Sequence, residues 1–273
     1  MAGHLIDAGH EVAVFNRTTD VATRFCDDFP AARHASSPAN ACDGAEVGML
    51  IVGNDDSVRS VALGPDGAFE GLGPGSVLVD HTTASAALAS ELGEEAAGRG
   101  VGFIDAPVSG GESGAQNGVL TVMCGGDEST FERVEPLIAA YAKTRTLIGP
   151  TGSGQTTKMV NQIAIAGLVQ GLSEALNLGM SAGLDMEKVL ATISNGAAGS
   201  WQMSNRGHTM VNDEFDFGFA IEWMIKDLGI ALAEAERLGA PTPVATMVAG
   251  YYEELLAAGD GRSDTSALIK RLR

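Results

Sequence analysis

Gly149-Pro150-Thr151-Gly152-Ser153-Gly154-Gln155-Thr156-Thr157-Lys158-Met159-Val160-Asn161-Gln162 marks the point at which the chain changes character. The apolar run Thr146-Leu147-Ile148 leads into this glycine-rich turn, and upstream of it apolar runs alternate with helical stretches. Downstream the strand signal stops and a long helix is expected over 155–182. Lys158, Asn161 and Gln162 then fall at i, i+3 and i+4, on one helix face near its start. A lysine and two amides beside a helix N-terminus can bind and protonate a small oxygen-bearing anion.

Two plainer readings compete with that one. A lone helical lysine is usually a solvated charge. The stretch 149–156 also fits the phosphate-binding pattern G-x-x-x-x-G-K-[ST] everywhere but at the lysine, where Gln155 stands. A neutral amide cannot supply the point charge that such a loop places on β- and γ-phosphates. The nearest apolar run ending in Asp, Val77-Leu78-Val79-Asp80, also lies upstream of the loop instead of following it. A P-loop nucleotide-binding protein is therefore the weaker alternative.

Working outward, 273 residues at 45% hydrophobic are enough for two domains with substantial cores. A net charge of −18 argues against nucleic acid or an anionic membrane as partner, so a site for an anion must make its positive field locally. No run of 18 apolar residues and no signal-peptide pattern is found, so neither a membrane span nor export is expected. Cys26, Cys42 and Cys124 are odd in number and widely spaced, and no histidine stands at ligand spacing from them. They read as buried thiols in a reducing cytoplasm, with no metal site.

Before the glycine turn, strands are expected over 10–18, 47–52, 77–80, 103–105, 119–124 and 145–148, with helices over 21–29, 57–63, 84–98 and 129–141. This alternation implies a Rossmann-like, largely parallel sheet covered on both faces, with ligands at the carboxyl ends of the strands. Arg17, Gly53, Thr83 and Ser109 fall at those ends. The first of these strands ends in Asn16-Arg17-Thr18, where an acid would bind the ribose 2′-hydroxyl of NAD and an arginine suits the 2′-phosphate of NADP. After the turn, helices are expected over 155–182, 186–194, 221–238, 244–258 and 266–272. On the first, Ile163, Gly167, Gly171, Ala175 and Gly179 form a ridge of small side chains that another helix can approach. The chain thus divides into an α/β domain over 1–150 and an all-α domain over 151–273.

Three motifs in order now resemble one family. Asp105-Ala106-Pro107-Val108-Ser109-Gly110-Gly111 looks like the substrate-binding motif of the β-hydroxyacid dehydrogenases. The turn and helix start resemble their G-x-x-G-x-G-x-x-x-K-x-x-x-N motif, with Lys158 on the catalytic lysine and Gln162 where Asn is usual. Lys226-Asp227-Leu228 resembles their late cofactor-contacting K-D-L. The resemblance covers essentially the whole chain. It implies an NAD(P)-dependent oxidoreductase acting on a small 3-hydroxy acid or its semialdehyde, as 3-hydroxyisobutyrate dehydrogenase does; Arg17 and the missing acid at its strand end favour NADP, with NAD possible.

By the same resemblance Lys158 is the general acid/base, and desolvation would bring its pKa toward working pH. Ser109 with the N–H groups of Gly110 and Gly111 would hold the substrate carboxylate, and Asn161 and Gln162 would orient the substrate. Asn16, Arg17, Thr18, Val52, Gly53, Ser57, Thr83 and Lys226 would contact the cofactor. The expected partner is a small carboxylate, and the helical domain would join a homodimer or homotetramer. Imine reductases share this architecture but lack the lysine, so Lys158 favours a hydroxyacid. A catalytically impaired dinucleotide-binding homologue is the non-enzymatic alternative. No G-x-G-x-x-G occurs in the sequence, and Met1-Ala2-Gly3-His4-Leu5 resembles the family's segment just after that loop. The expectation is therefore a chain truncated at its N-terminus, lacking the first strand and glycine loop.

Overall fold

Apolar runs bounded by polar turns become the strands of the first of two units, Met1–Lys158 and Met159–Arg273, in a computed structural model that describes residues 1–273. The first unit opens with α1 (Ala2–Asp7), β1 (Ala13–Val14), α2 (Thr19–Asp28) and β2 (Arg33–His34). β1 and β2 pair in parallel as a separate two-stranded sheet. The strand expected over 10–18 is thus only two residues of ladder; an Asx turn, Thr18 N donating to Asn16 Oδ1, follows it.

Next come α3 (Pro38–Cys42), β3 (Val47–Leu50), α4 (Asp55–Leu63), α5 (Ala68–Gly71), β4 (Val77–Asp80), α6 (Ala86–Gly98) and β5 (Gly102–Asp105). Asn54 and Ser85 cap α4 and α6 by accepting from Ser57 N and Leu88 N. β3, β4 and β5 run parallel, so their carboxyl ends lie side by side, Leu50 opposite Asp80 and Asp80 opposite Asp105. β4 shows why this sheet is buried on both faces. Val77 and Val79 pack into one apolar cluster with Ile104, Val134 and Ile138, and Leu78 into another with Val58, Leu88 and Leu92.

The remaining strands depart from the parallel expectation. β6 (Val108–Ser109), α7 (Gly111–Gln116), β7 (Leu120–Gly126), α8 (Glu128–Ala139) and β8 (Ala142–Gly149) follow. β7 pairs antiparallel with both β5 and β6, and parallel with β8, so the six-stranded sheet is mixed. Gly110 and Gly111, at φ +128° and +61°, begin the reversal by which the chain returns alongside β6.

α9 (Ser153–Ser181) begins at the end of the first unit and continues through the second. There it is joined by α10 (Met186–Ile193), α11 (Trp201–Asn212), α12 (Ile221–Leu238), α13 (Pro243–Ala257) and a 3-10 segment, Thr265–Leu272. By length and composition α9 could cross a membrane, but its Ala166, Val169, Leu172 and Leu176 are buried in the core of the second unit with Leu190, Met210, Met224 and Tyr252. Of the ridge expected on α9, Gly179 is met within the chain: a Cβ there would lie 2.8 Å from Met186 Sδ. At Gly167 and Gly171 a Cβ would meet nothing within 4 Å.

Candidate active site

The carboxyl ends of β3 and β4 are laced together by short polar side chains. Val52 N donates to Thr82 Oγ1 at 3.0 Å, and Thr82 N donates to Asp80 Oδ1 at 2.9 Å. Ser85, beyond Thr83, gives both its N–H (3.0 Å) and its hydroxyl (2.5 Å) to the carboxylate of Asp55. Gly53 and Ser57 lie on the turn and first helical turn after β3, and Thr83 on the turn after β4. The sequence reading placed Gly53 and Thr83 at strand ends and Ser57 at the start of a helix, and the parallel register brings the ends of β3 and β4 together.

The start of α9 is held by an anion from the protein itself. Gly152 N donates to Asp105 Oδ1 at 2.7 Å and Gln155 N to Asp105 Oδ2 at 2.8 Å. The N–H groups of Gly152 and Gln155 at this helix start are thus given to the Asp105 carboxylate and not to a ligand. This removes the physical basis for a P-loop here. Gln155, only 1% exposed, turns its amide onto the residues around Thr83: Nε2 donates to Thr82 O at 2.7 Å, and Oε1 accepts from Ala84 N at 3.0 Å.

One turn further on, Lys158 is 6% exposed, and its Nζ donates to Val108 O at 2.9 Å. It is therefore not a solvated surface charge. That carbonyl precedes Ser109, Gly110 and Gly111, so the lysine and the glycine turn are neighbours within the first unit. Gly110 and Gly111 are exposed and Ser109 half-buried, which leaves this turn open to a ligand. Successive N–H groups in such positive-φ turns form concave anion sites.

Asn16, Arg17 and Thr18 follow the carboxyl end of β1, in the separate two-stranded sheet, and are exposed. A guanidinium and a hydroxyl at a strand end, with no carboxylate among 16–18, make a donor set that fits a phosphorylated ribose. The backbone at Val52–Gly53 and Thr82–Thr83, fixed by the bonds above, fits the rest of a nicotinamide dinucleotide at the strand ends. The glycine-rich pyrophosphate turn of such domains has no counterpart in residues 1–273.

The second unit carries its own polar chain. Asn161 Nδ2 donates to Gln162 Oε1 at 2.8 Å, Gln162 Nε2 donates to Asp227 Oδ2 at 2.7 Å, and Lys226 Nζ lies 2.8 Å from Asp227 Oδ1. Gln162 and Asp227 are each 2% exposed. Sequence reasoning singled out Lys226 and passed over Asp227, although the acid ties the lysine to the amide pair. It likewise missed Asp105 and Gln155 as site-builders; the one available signal was a polar residue directly after the third glycine of 149–154.

Burial sets unusual protonation at the strand ends. It pushes the Asp80 carboxyl up to about 7, with the neighbouring Asp105 adding to the effect. It pushes Asp105 up to about 6 against the pull of its N–H donors, and His81 down to about 4. His81 stays neutral between Ala106 O (2.7 Å) and the Tyr141 hydroxyl (2.9 Å). For Asp80 the folded state holds a proton that the unfolded chain releases near 3.8, so its contribution is most favourable at low pH and is lost as pH rises toward about 7. Asp80→Asn keeps an acceptor for Thr82 N and cannot titrate. Denaturant unfolding should show the wild type losing stability relative to Asp80→Asn from pH 4 to 7, then levelling. A difference independent of pH would show that Asp80 is ionised throughout.

A family model described as the NAD-binding domain of 6-phosphogluconate dehydrogenase matches residues 1–149. A second, described as NAD-binding of NADP-dependent 3-hydroxyisobutyrate dehydrogenase, matches residues 152–272. An oxidoreductase of Shewanella frigidimarina is 52% identical over 272 residues, covering 100% of this chain and 93% of that protein. Probable 3-hydroxyisobutyrate dehydrogenase-like 1, mitochondrial, of Arabidopsis thaliana is 42% identical over 273 residues, covering 100% of this chain and 81% of that protein. The 3-hydroxyisobutyrate dehydrogenase of Mycobacterium tuberculosis, in a structure with L-serine, has a TM-score of 0.88 and 28% identity, covering 100% of this chain and 94% of that chain. The chain belongs to the β-hydroxyacid dehydrogenase family. It is an NAD(P)-dependent oxidoreductase acting on CH–OH groups.

Proposed function

We propose that the chain interconverts a small 3-hydroxy acid and its semialdehyde, with Lys158 as the general acid/base. The observation that carries this reading is the hydrogen bond from Lys158 Nζ to Val108 O, which sets a buried ammonium beside the turn of Ser109, Gly110 and Gly111. The carboxylate of the substrate is held by the Ser109 hydroxyl and the glycine N–H groups. When bound, the nicotinamide dinucleotide supplies the hydride in reduction and takes it in oxidation. Lys158 Nζ gives a proton to the forming alkoxide in the first direction and removes it from the hydroxyl in the second. Asn161, one helical turn beyond Lys158, orients the substrate oxygen, and Gln162 with Asp227 fixes the Asn161 amide. Gln162 is thus a support in this scheme, not a substrate contact. Arg17 reads the 2′-phosphate, and Thr83 contacts the cofactor.

The test is NADPH and NADH turnover with a panel of C3–C5 3-hydroxy acids, their semialdehydes, and cyclic imines. Activity is expected on the hydroxyacid pairs and not on the imines, with NADPH preferred. Arg17→Ala should raise the KM for NADPH by about tenfold, a loss of roughly 1.4 kcal/mol, and leave that for NADH unchanged. Equal losses for both cofactors would show that Arg17 does not read the phosphate. Cofactor binding without turnover of any panel member would favour a dinucleotide-binding homologue that has lost its catalysis.

A further inference from the structure

Gln155 is the residue at which the lysine helix and the cofactor-side loop are joined. Its side chain is nearly inaccessible, and both halves of its amide are used on backbone that flanks Thr83: Nε2 on Thr82 O at 2.7 Å, Oε1 on Ala84 N at 3.0 Å. Its own N–H is fixed by Asp105 Oδ2 at 2.8 Å, so the residue cannot shift along the helix axis without breaking a buried bond to a carboxylate. Thr82 is in turn tied to β3 through Val52 N and to β4 through Asp80. A primary amide is the side chain that can donate to one backbone group and accept from another on the same loop. Glutamate would set a carboxylate against the Thr82 carbonyl, and a lysine would have no acceptor for Ala84 N.

We propose that Gln155 is a positioning residue for cofactor binding: its amide clamps the loop 82–84 against the start of α9, so that Thr83 is presented to the cofactor from a platform in register with Lys158. The inference rests on the reading of Thr83 and Lys158 given above. It goes beyond that reading in assigning a role to a residue that makes no contact with substrate or cofactor. Gln155 acts through the backbone of Thr83, and its loss is felt first in cofactor affinity.

The experiment is a double-mutant cycle on NADPH affinity, read by nicotinamide fluorescence and therefore independent of turnover. Gln155→Met keeps length and loses both bonds. It should raise the NADPH Kd by at least tenfold while leaving the KM for the hydroxyacid within twofold. Hydrogen exchange at Ala84 should also rise in the cofactor-free protein. In a Thr83→Ala background the same substitution should raise Kd by less than threefold, because the contact through which Gln155 acts is already gone. A Kd for Gln155→Met within twofold of wild type overturns the proposal. So does a full additive loss in the double variant, which a general loosening of the fold would give. Thr83→Ala alone separates the two possible failures. An unchanged Kd there sinks the cofactor reading of Thr83 and takes the proposal with it, whereas a raised Kd with an additive double variant sinks the proposal only. Gln155→Glu, which keeps an acceptor for Ala84 N, carries the same cycle if Gln155→Met does not fold.

Discussion

Replacing Lys158 with alanine is expected to lower kcat by about 10²–10⁴-fold, the range over which a positioned general acid contributes. NADPH affinity should stay within about twofold. The substitution removes the ammonium that donates to Val108 O and leaves in place the bonds that fix the strand ends, namely Val52 N to Thr82, Thr82 N to Asp80, and Gln155 to Thr82 and Ala84. The measurement is steady-state turnover alongside fluorescence titration of NADPH. A variant that retains more than about a tenth of wild-type kcat lies outside the range for loss of a general acid, and Lys158 would then be a structural lysine.

The second large effect is steric. A Cβ on Gly154 would stand 2.4 Å from Met123 O, 2.5 Å from Asp105 O and 2.8 Å from Asp105 Oδ2, closer than real contacts allow. The helix start therefore docks on the ends of β5 and β7 with no room for a methyl group. Gly154→Ala must push the turn away from Asp105, which weakens the bonds from Gly152 N and Gln155 N and moves Lys158 with them. Overpacking of this kind costs about 1–3 kcal/mol, or a Tm lower by roughly 2–12 °C for a chain of this size. Displacement of a catalytic group by about 1 Å can cost on the order of 10²-fold in rate. Gly167→Ala is the control: it lies in the same helix with nothing within 4 Å of the added carbon. It should be neutral or stabilising by up to about 1 kcal/mol. Equal Tm and kcat in both variants would show that the close approach at Gly154 is not what demands glycine there.

What the sequence discloses and what it hides divide along physical lines. The run 77–80 and the helix 221–238 were legible to the residue, the first as an unbroken apolar run buried on both faces and the second because its buried positions recur at helical spacing. β2 and β6 are two residues each, too short to show any period. α11 was missed because Gly207 and several polar residues interrupt its pattern. In the structure Gly207 is a packing residue, since a Cβ there would lie 2.7 Å from Leu190 Cδ2. Lys158 and the turn 108–111 announced themselves as motifs, and the backbone supplied what spacing could not, the bond between them. Asp105, Gln155 and Asp227 stayed hidden for a different reason. Each acts on partners 47–73 residues away, and no local pattern records such a meeting. The P-loop near-match could be set aside on Gln155 alone, but the acceptor for its N–H groups, Asp105, comes from a distant strand and was not legible.

The two-residue ladder between β1 and β2 bears on the proposed reading of the 2′-phosphate by Arg17. Arg17 follows a strand with only two residues paired to its neighbour, Ala13 and Val14, whereas β3, β4 and β5 are joined over four residues apiece. Local opening is easiest where backbone bonds are few, so amides near β1 should exchange with solvent sooner than those of β4. A phosphate captured by Arg17 must therefore order a loosely tethered stretch, and the entropy lost there is subtracted from the attraction of the charges. On the proposed reading, discrimination between the two dinucleotides becomes a matter of stiffness as well as charge. Selection acting on the packing beneath β1 could tune it without touching the arginine.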